Sequence, residues 1–242
     1  MTGVRPLLVR AGAIALLAVA AFLIWLAYLG YFSADPVTIV RPAGKDNSGY
    51  AVIFLSGDMG LNAGMGPEII RRFTEDGVPV VGFNSLSFFR RKRAPTEVTA
   101  MVRSLIERAR TQFGQKPLVL VGQSFGADAL QLGLADFSPA ERKDIAMIAL
   151  TVPTDSVYLQ ASPNELFNLT PPDLSALPTA QKLDWAPLLC IHGIKERHSL
   201  CPELQIANVD VVALPGGHFL KHDAGLVYRT ITRKIRQIGP SG

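Results

Sequence analysis

Charge of either sign is sparse in this sequence: 18% of its 242 residues are charged, and the net charge is +4. A nucleic-acid-binding domain carries a larger and clustered basic excess, so that class is excluded. Histidine is sparse too, with four residues. None of them stands with cysteine, aspartate or glutamate at metal-ligand spacing, and there is no G-x-x-x-x-G-K-[ST] loop to cradle a phosphate. No metal and no cofactor is expected. Cysteine numbers only two, which rules out a small scaffold stapled by disulfides. No internal repeat is visible, which removes stacked-repeat architectures. What remains is a chain long enough for one packed domain.

The one long hydrophobic run is at the start. "MTGVRPLLVR" carries Arg5 and Arg10 and no acid. An apolar stretch of about 22 residues follows, from Ala11 to Phe32, roughly the length that crosses a bilayer. Secretory signal cores are shorter and end in a small-x-small cleavage site. Cleavage after Ala34 would put bulky Phe32 at the third position back. Trp25, Tyr28 and Tyr31 read as an interfacial aromatic belt. The expectation is an uncleaved signal anchor over residues 1–34, with residues 35–242 outside the cytoplasm. The arginines set that orientation. A soluble periplasmic form after cleavage is the alternative.

Beyond the anchor, apolar strand-length runs alternate with helical patterns. The runs are "VTIVRP", "YAVIFLSG", "VPVVGFN", "PLVLVG", "DIAMIALTVP", "PLLCIHG" and "VDVVALPGG". Helical spacing marks "GPEIIRRFTEDG", "TEVTAMVRSLIERARTQFG", "FGADALQLGLA" and "DAGLVYRTITRKIRQIG". This alternation predicts an α/β fold, a mostly parallel sheet with helices on both faces. Sites in such sheets form at the carboxyl ends of the strands. Residues 153–186 break the alternation and are expected to form a cap or substrate wall.

"VGQSFGAD" lies between a strand and a helix and matches the G-x-S-x-G nucleophile turn of α/β-hydrolases. The order expected there is serine, acid, histidine. "PLLCIHGIKE" ends a strand and supplies Glu196; "VVALPGGHF" ends the next and supplies His218. Ser124 is therefore the candidate nucleophile, His218 the base and then acid, and Glu196 the carboxylate that orients it. Asp155 and Glu203 are rival acids. His192, His198 and His222 read as structural. The oxyanion hole is expected to use the backbone N–H of Phe125 and that of Asp58 or Met59, in "FLSGDMG". Cys190 and Cys201 form a candidate disulfide in an oxidising compartment; a buried thiol at Cys190 with an unrelated Cys201 is the alternative.

Together, "LSGDMG", "SLSFFRRKRAPTE", "GQSFGAD", "CIHGIKERHSLC" and "LPGGHF" resemble the bacterial virulence protein VirJ/AcvB family. The resemblance runs from about residue 50 to the end. It implies an exported serine hydrolase of the α/β-hydrolase fold that removes aminoacyl groups, typically lysyl, from phosphatidylglycerol. It also implies a connection with virulence and secretion-system proteins. The same resemblance supports Ser124, Glu196 and His218 as the triad and a Cys190–Cys201 disulfide around the acid loop. A general carboxylesterase or lysophospholipase, or a non-catalytic part of an envelope secretion assembly, are the competing readings.

A lysyl ester carries ammonium groups, so a carboxylate near Ser124 would recognise it. Asp128, one helical turn on, and Asp58, in the oxyanion loop, are the candidates. Asp128 near a helix N-terminus is also favourable without any ligand. The basic run Arg90, Arg91, Lys92 and Arg93 is either a solvated loop or a contact for anionic headgroups of the membrane.

Overall fold

Apolar runs too continuous for a half-exposed sheet become the middle of a sheet covered on both faces. The computed structural model describes residues 4–44, 46, 48–161 and 171–239, with side chains of the first helix described from Gly12 onward. Along the chain come helix α1 (Val4–Tyr28), strands β1 (Val37–Val40) and β2 (Ala51–Leu55), helix α2 (Gly66–Glu75) and strand β3 (Val80–Phe83). Next are α3 (Ser85–Phe88), α4 (Pro95–Phe113), β4 (Leu118–Gln123), α5 (Phe125–Leu134), α6 (Pro139–Arg142) and β5 (Ile145–Thr151). The chain closes with β6 (Ser156–Val157), β7 (Leu174–Ser175), α7 (Leu177–Ala180), β8 (Leu188–Gly193), β9 (Val209–Leu214) and α8 (Ala224–Ile238).

The main sheet has seven strands in the order β1-β3-β2-β4-β5-β8-β9. Only β1, at one edge, runs antiparallel. The period of two along each strand divides its side chains between the faces. Ile53, Leu55, Leu118 and Leu120 pack with Val98, Val102 and Leu105 of α4 and Leu130 of α5. Val52, Phe54, Val119 and Val121 pack with Ile69 and Phe73 of α2 and Val227 and Ile231 of α8. Phe73 is fully buried, so Phe73→Ala would cost about 3–5 kcal/mol. This is the α/β sheet expected from the sequence. Three single-turn helices, α3, α6 and α7, were not expected; the Asn84 side chain caps the first, and in the second Glu141 accepts the Ser138 N–H at 2.8 Å.

Residues 153–186 do leave the sheet, as expected. β6 and β7 form a small antiparallel ribbon. The excursion binds the segment between α3 and α4: Arg93 donates its N–H to Leu159 O at 2.8 Å, and Ala161 donates to Phe89 O at 2.8 Å. Residues 162–170 lie outside the described residues.

α1 carries a row of exposed apolar side chains, including Ile14, Leu16, Leu17 and Ile24. Among the described residues, no helix is long and apolar enough to cross a membrane. The helix ends at Gly30, whose φ of +78° supplies the left-handed turn of a Schellman cap. There Gly30 N–H reaches Ala27 O and Tyr31 N–H reaches Leu26 O, both at 3.0 Å.

Candidate active site

β4 runs into α5 with no intervening loop, so the chain must reverse at a single residue. That residue is Ser124, at φ +50° and ψ −124°. A non-glycine residue held at positive φ is strained, and such strain persists where the surroundings impose it. Two glycines make the turn fit. A Cβ on Gly126 would lie 2.3 Å from Ser56 O, and one on Gly122 would lie 2.6 Å from Ala127 Cα. Phe125 opens α5, so its N–H belongs to the first-turn donors that a helix leaves unpaired.

The ends of the next strands bring the partners. Ser124 Oγ lies 2.8 Å from His218 Nε2. His218 Nδ1 lies 2.5 Å from Glu196 Oε1. The other oxygen, Glu196 Oε2, accepts the N–H of Gly193 at 3.1 Å. The Glu196 side chain is 6% exposed and that of His218 33%, so the acid is enclosed while the base faces the opening. The rival acids do other work. Asp155 Oδ2 lies 3.3 Å from His198 Nδ1, and Glu203 sits in the turn Cys201–Glu203.

Several ties hold the acid loop. Cys190, inside β8, is bonded to Cys201. Thr154 forms an isolated bridge with Ser199, Leu200 N–H donates to Pro153 O, and Asp155 N–H donates to His198 O. A disulfide is the covalent chemistry of an oxidising compartment outside the cytoplasm. The roles of Thr154 and Ser199 had no signal in the sequence, because they depend on pairing between segments that are not neighbours along the chain.

The loop after β2 is a tight turn. Gly60 N–H donates to Gly57 O at 3.1 Å, leaving Asp58 and Met59 at its centre. Gly57 packs against the nucleophile; a Cβ there would lie 3.5 Å from Ser124 Cβ. The Asp58 carboxyl also belongs to this site. Burial holds its pKa above the usual value, against the charge of His218 and the hydrogen bonds from its own N–H and that of Met59, which pull it down. One side wall is aromatic: Phe89 meets Phe125 edge-on, with ring centroids 4.8 Å apart.

Asp128 does not join this group, and its expected contact with a substrate ammonium is corrected. It is 6% exposed. Thr154 donates its N–H to Asp128 Oδ1 at 2.8 Å, and the Thr154 hydroxyl lies 3.0 Å from Oδ2. Burial pushes its pKa well above the usual carboxylate range, and nearby Glu196 and Asp155 add to this. Asp128 ties α5 to the segment that holds the acid loop.

The basic run is largely taken up within the chain. Arg90 donates to the carbonyls of Tyr31 and Ser33, both at 3.1 Å. Lys92 pairs with Asp173. Arg93 lies over the Phe88 ring at 4.1 Å and pairs with Glu97 at 3.0 Å. Arg91 stays exposed. Among the described residues no group of acids, histidines or cysteines could hold a metal ion.

Solved structures with the same fold include Est1E from Butyrivibrio proteoclasticus, at 14% identity and TM-score 0.61, covering 84% of this chain and 93% of that one. The esterase domain of a Rhodothermus marinus protein matches at 15% identity and TM-score 0.60, covering 84% and 93%. A Pyrococcus furiosus esterase matches at 15% identity and TM-score 0.56, covering 88% and 92%. At such identities the likeness establishes the α/β-hydrolase fold. No curated protein matches the chain. The family model described as bacterial virulence protein (VirJ) matches residues 49–238, a span that takes in the nucleophile turn, the acid loop and the histidine. The chain belongs to the bacterial virulence protein VirJ family.

Proposed function

We propose that this protein is an exported serine hydrolase that cleaves the aminoacyl ester of phosphatidylglycerol. The observation that carries the reading is the hydrogen-bonded line Ser124–His218–Glu196 opening beside the Asp58 carboxyl.

The chemistry follows from that line. His218 Nε2 takes the proton of Ser124 Oγ as the oxygen attacks the ester carbonyl. Negative charge grows on the carbonyl oxygen, where the N–H of Phe125 and that of Asp58 or Met59 stabilise it. The C–O bond to the glycerol headgroup then breaks, and His218 returns the proton to the departing oxygen. Water, deprotonated by His218, attacks the acyl-serine ester. The free amino acid leaves and Ser124 regains its proton. Glu196 holds the imidazole in the working tautomer throughout.

Asp58 supports the aminoacyl assignment. In every aminoacyl ester the α-ammonium sits on the carbon next to the reacting carbonyl. A carboxylate on the oxyanion loop is therefore placed to meet it. Such a group recognises an amino acid in general, not lysine in particular. An anchored enzyme would meet this lipid within the plane of the membrane. The apolar run Ala11–Phe32 and the exposed apolar side chains of α1 support anchoring, and exposed Arg91 is placed to meet anionic headgroups nearby. The disulfide supports a location outside the cytoplasm.

The test is hydrolysis of lysyl-phosphatidylglycerol in mixed micelles, beside a neutral ester and a lysophospholipid. A fluorophosphonate probe serves as the label. The expected result is release of lysine and labelling, both lost in Ser124→Ala. Equal turnover of all three substrates would favour a general esterase. Absence of labelling would favour a non-catalytic role in an envelope assembly.

A further inference from the structure

The oxyanion loop is braced from an unexpected direction, by the end of α1. Tyr28 Oη donates to Asn62 O at 2.9 Å, and Asn62 Nδ2 donates back to Tyr28 O at 2.5 Å. Leu29, the residue after the helix, is 5% exposed. Its carbonyl accepts a 2.8 Å hydrogen bond from Asn84 Nδ2.

Asn84 is buried between two glycines that come from different parts of the chain. A Cβ on Gly30, in the cap of α1, would lie 2.6 Å from Asn84 Nδ2. A Cβ on Gly60, in the oxyanion turn, would lie 3.0 Å from both terminal atoms of Asn84 and 2.5 Å from Leu29 O. Both glycines have positive φ, +78° and +69°. Asn84 in turn is fixed at the end of β3: its N–H donates to Pro36 O at 2.8 Å, and its Oδ1 accepts the N–H of Ser87 at 3.1 Å.

We propose that the end of α1 is a latch on the oxyanion loop, with Asn84 as its positioning residue, so that the seating of α1 sets the activity of Ser124. The inference rests on the serine-hydrolase reading. Its physical basis is that an N–H donor acts only when it is aimed at the developing oxyanion, and displacement by about an ångström costs on the order of a hundredfold in rate. Neither Asn84 nor α1 touches the substrate in this scheme; they act through Asp58 and Met59.

The test uses the full chain in detergent micelles, with Asn84→Ala, Gly30→Val and the surface variant Asn62→Ala, which has no fold-breaking burial. Two readouts are taken. One is kcat and KM on a water-soluble neutral p-nitrophenyl ester. The other is amide hydrogen exchange in residues 57–62. The expected result is faster exchange in that turn, with kcat lowered about tenfold or more, KM changed less than about twofold, and the pH profile unaltered because His218 and Glu196 are untouched. Folded variants with wild-type kcat and wild-type exchange would overturn the latch. A wild-type chain that neither turns over the ester nor takes the fluorophosphonate label fails the hydrolase reading instead. In that case the exchange data still decide whether α1 braces the loop.

Discussion

Thr154 engages both oxygens of the Asp128 carboxyl, its N–H on Oδ1 at 2.8 Å and its hydroxyl on Oδ2. Thr154 Oγ1 lies 2.6 Å from the carbonyl of Ser156 and 3.0 Å from Asp128 Oδ2. A hydroxyl has a single proton, and a carbonyl can only accept. The hydroxyl proton is therefore shared between the Ser156 carbonyl and Asp128 Oδ2. Burial pushes the Asp128 pKa well above its usual range, against the pull of the two Thr154 hydrogen bonds.

Asp128 gives a signed pH prediction. Folding favours its protonated form, because the folded-state pKa is raised. The stability it contributes is complete below the ordinary carboxylate range and is lost as pH rises through the raised value. Asp128→Asn cannot ionise and keeps one acceptor oxygen for Thr154. Melting curves from about pH 5 to about pH 9 should show the Asn variant gaining on wild type as pH rises. Asp128→Ala should lose about 1–3 kcal/mol, since Thr154 then lacks a buried partner. A constant gap between Asn and wild type across the range would contradict the raised Asp128 pKa.

Glu196→Gln tests the acid at constant shape. A glutamine can hold the imidazole in the wrong tautomer, so kcat on a neutral ester should fall on the order of a thousandfold or more. Thermal stability should change far less, which separates chemistry from folding. Asp155→Asn and Glu203→Gln should leave kcat within about threefold of wild type, because neither acid meets His218.

Asp58→Asn tests the substrate class. The readout is the ratio of kcat/KM for a lysyl ester to that for a neutral ester with the same leaving group. Loss of one charged partner for the α-ammonium should lower that ratio about tenfold to a hundredfold. An unchanged ratio would remove Asp58 from substrate recognition.

The disulfide should matter to both stability and the acid loop. Joining residues 11 apart is worth about 3 kcal/mol by restriction of the unfolded chain. The variant Cys190→Ser/Cys201→Ser should lose that much unfolding free energy and label more slowly with fluorophosphonate. Both sulfur-bearing residues are fully buried, so reductant alone should have little effect on folded protein. Reductant with mild denaturant should reproduce the double variant.

The sheet was legible because its strands are apolar on both faces and each ends in a glycine or a turn, as "PLVLVG" does before Ser124. The triad was legible because the fold ties chemistry to strand order: Ser124, Glu196 and His218 each follow a strand. Asp128 was misread because proximity along a helix does not reveal which face is buried, and its partner Thr154 is distant in sequence. The basic run was only half legible for a similar reason. Its partners Asp173, Tyr31 and Ser33 come from other parts of the chain. Nothing local marked Asn84, whose role depends on two glycines brought together from both sides.

β1 follows α1 and pairs with β3 alone, at the edge of the sheet, from Val37 opposite Phe83 to Val40 opposite Val80. The end of the helix is joined to the domain by Tyr28–Asn62, Leu29–Asn84 and then this four-pair ladder, the last two leading into the same short stretch of chain, Val80–Asn84. The mechanical load path of a tethered molecule would run past the oxyanion turn before it reached the central strands. Were α1 held in a membrane, tension or tilt there would act on the catalytic loop through these contacts.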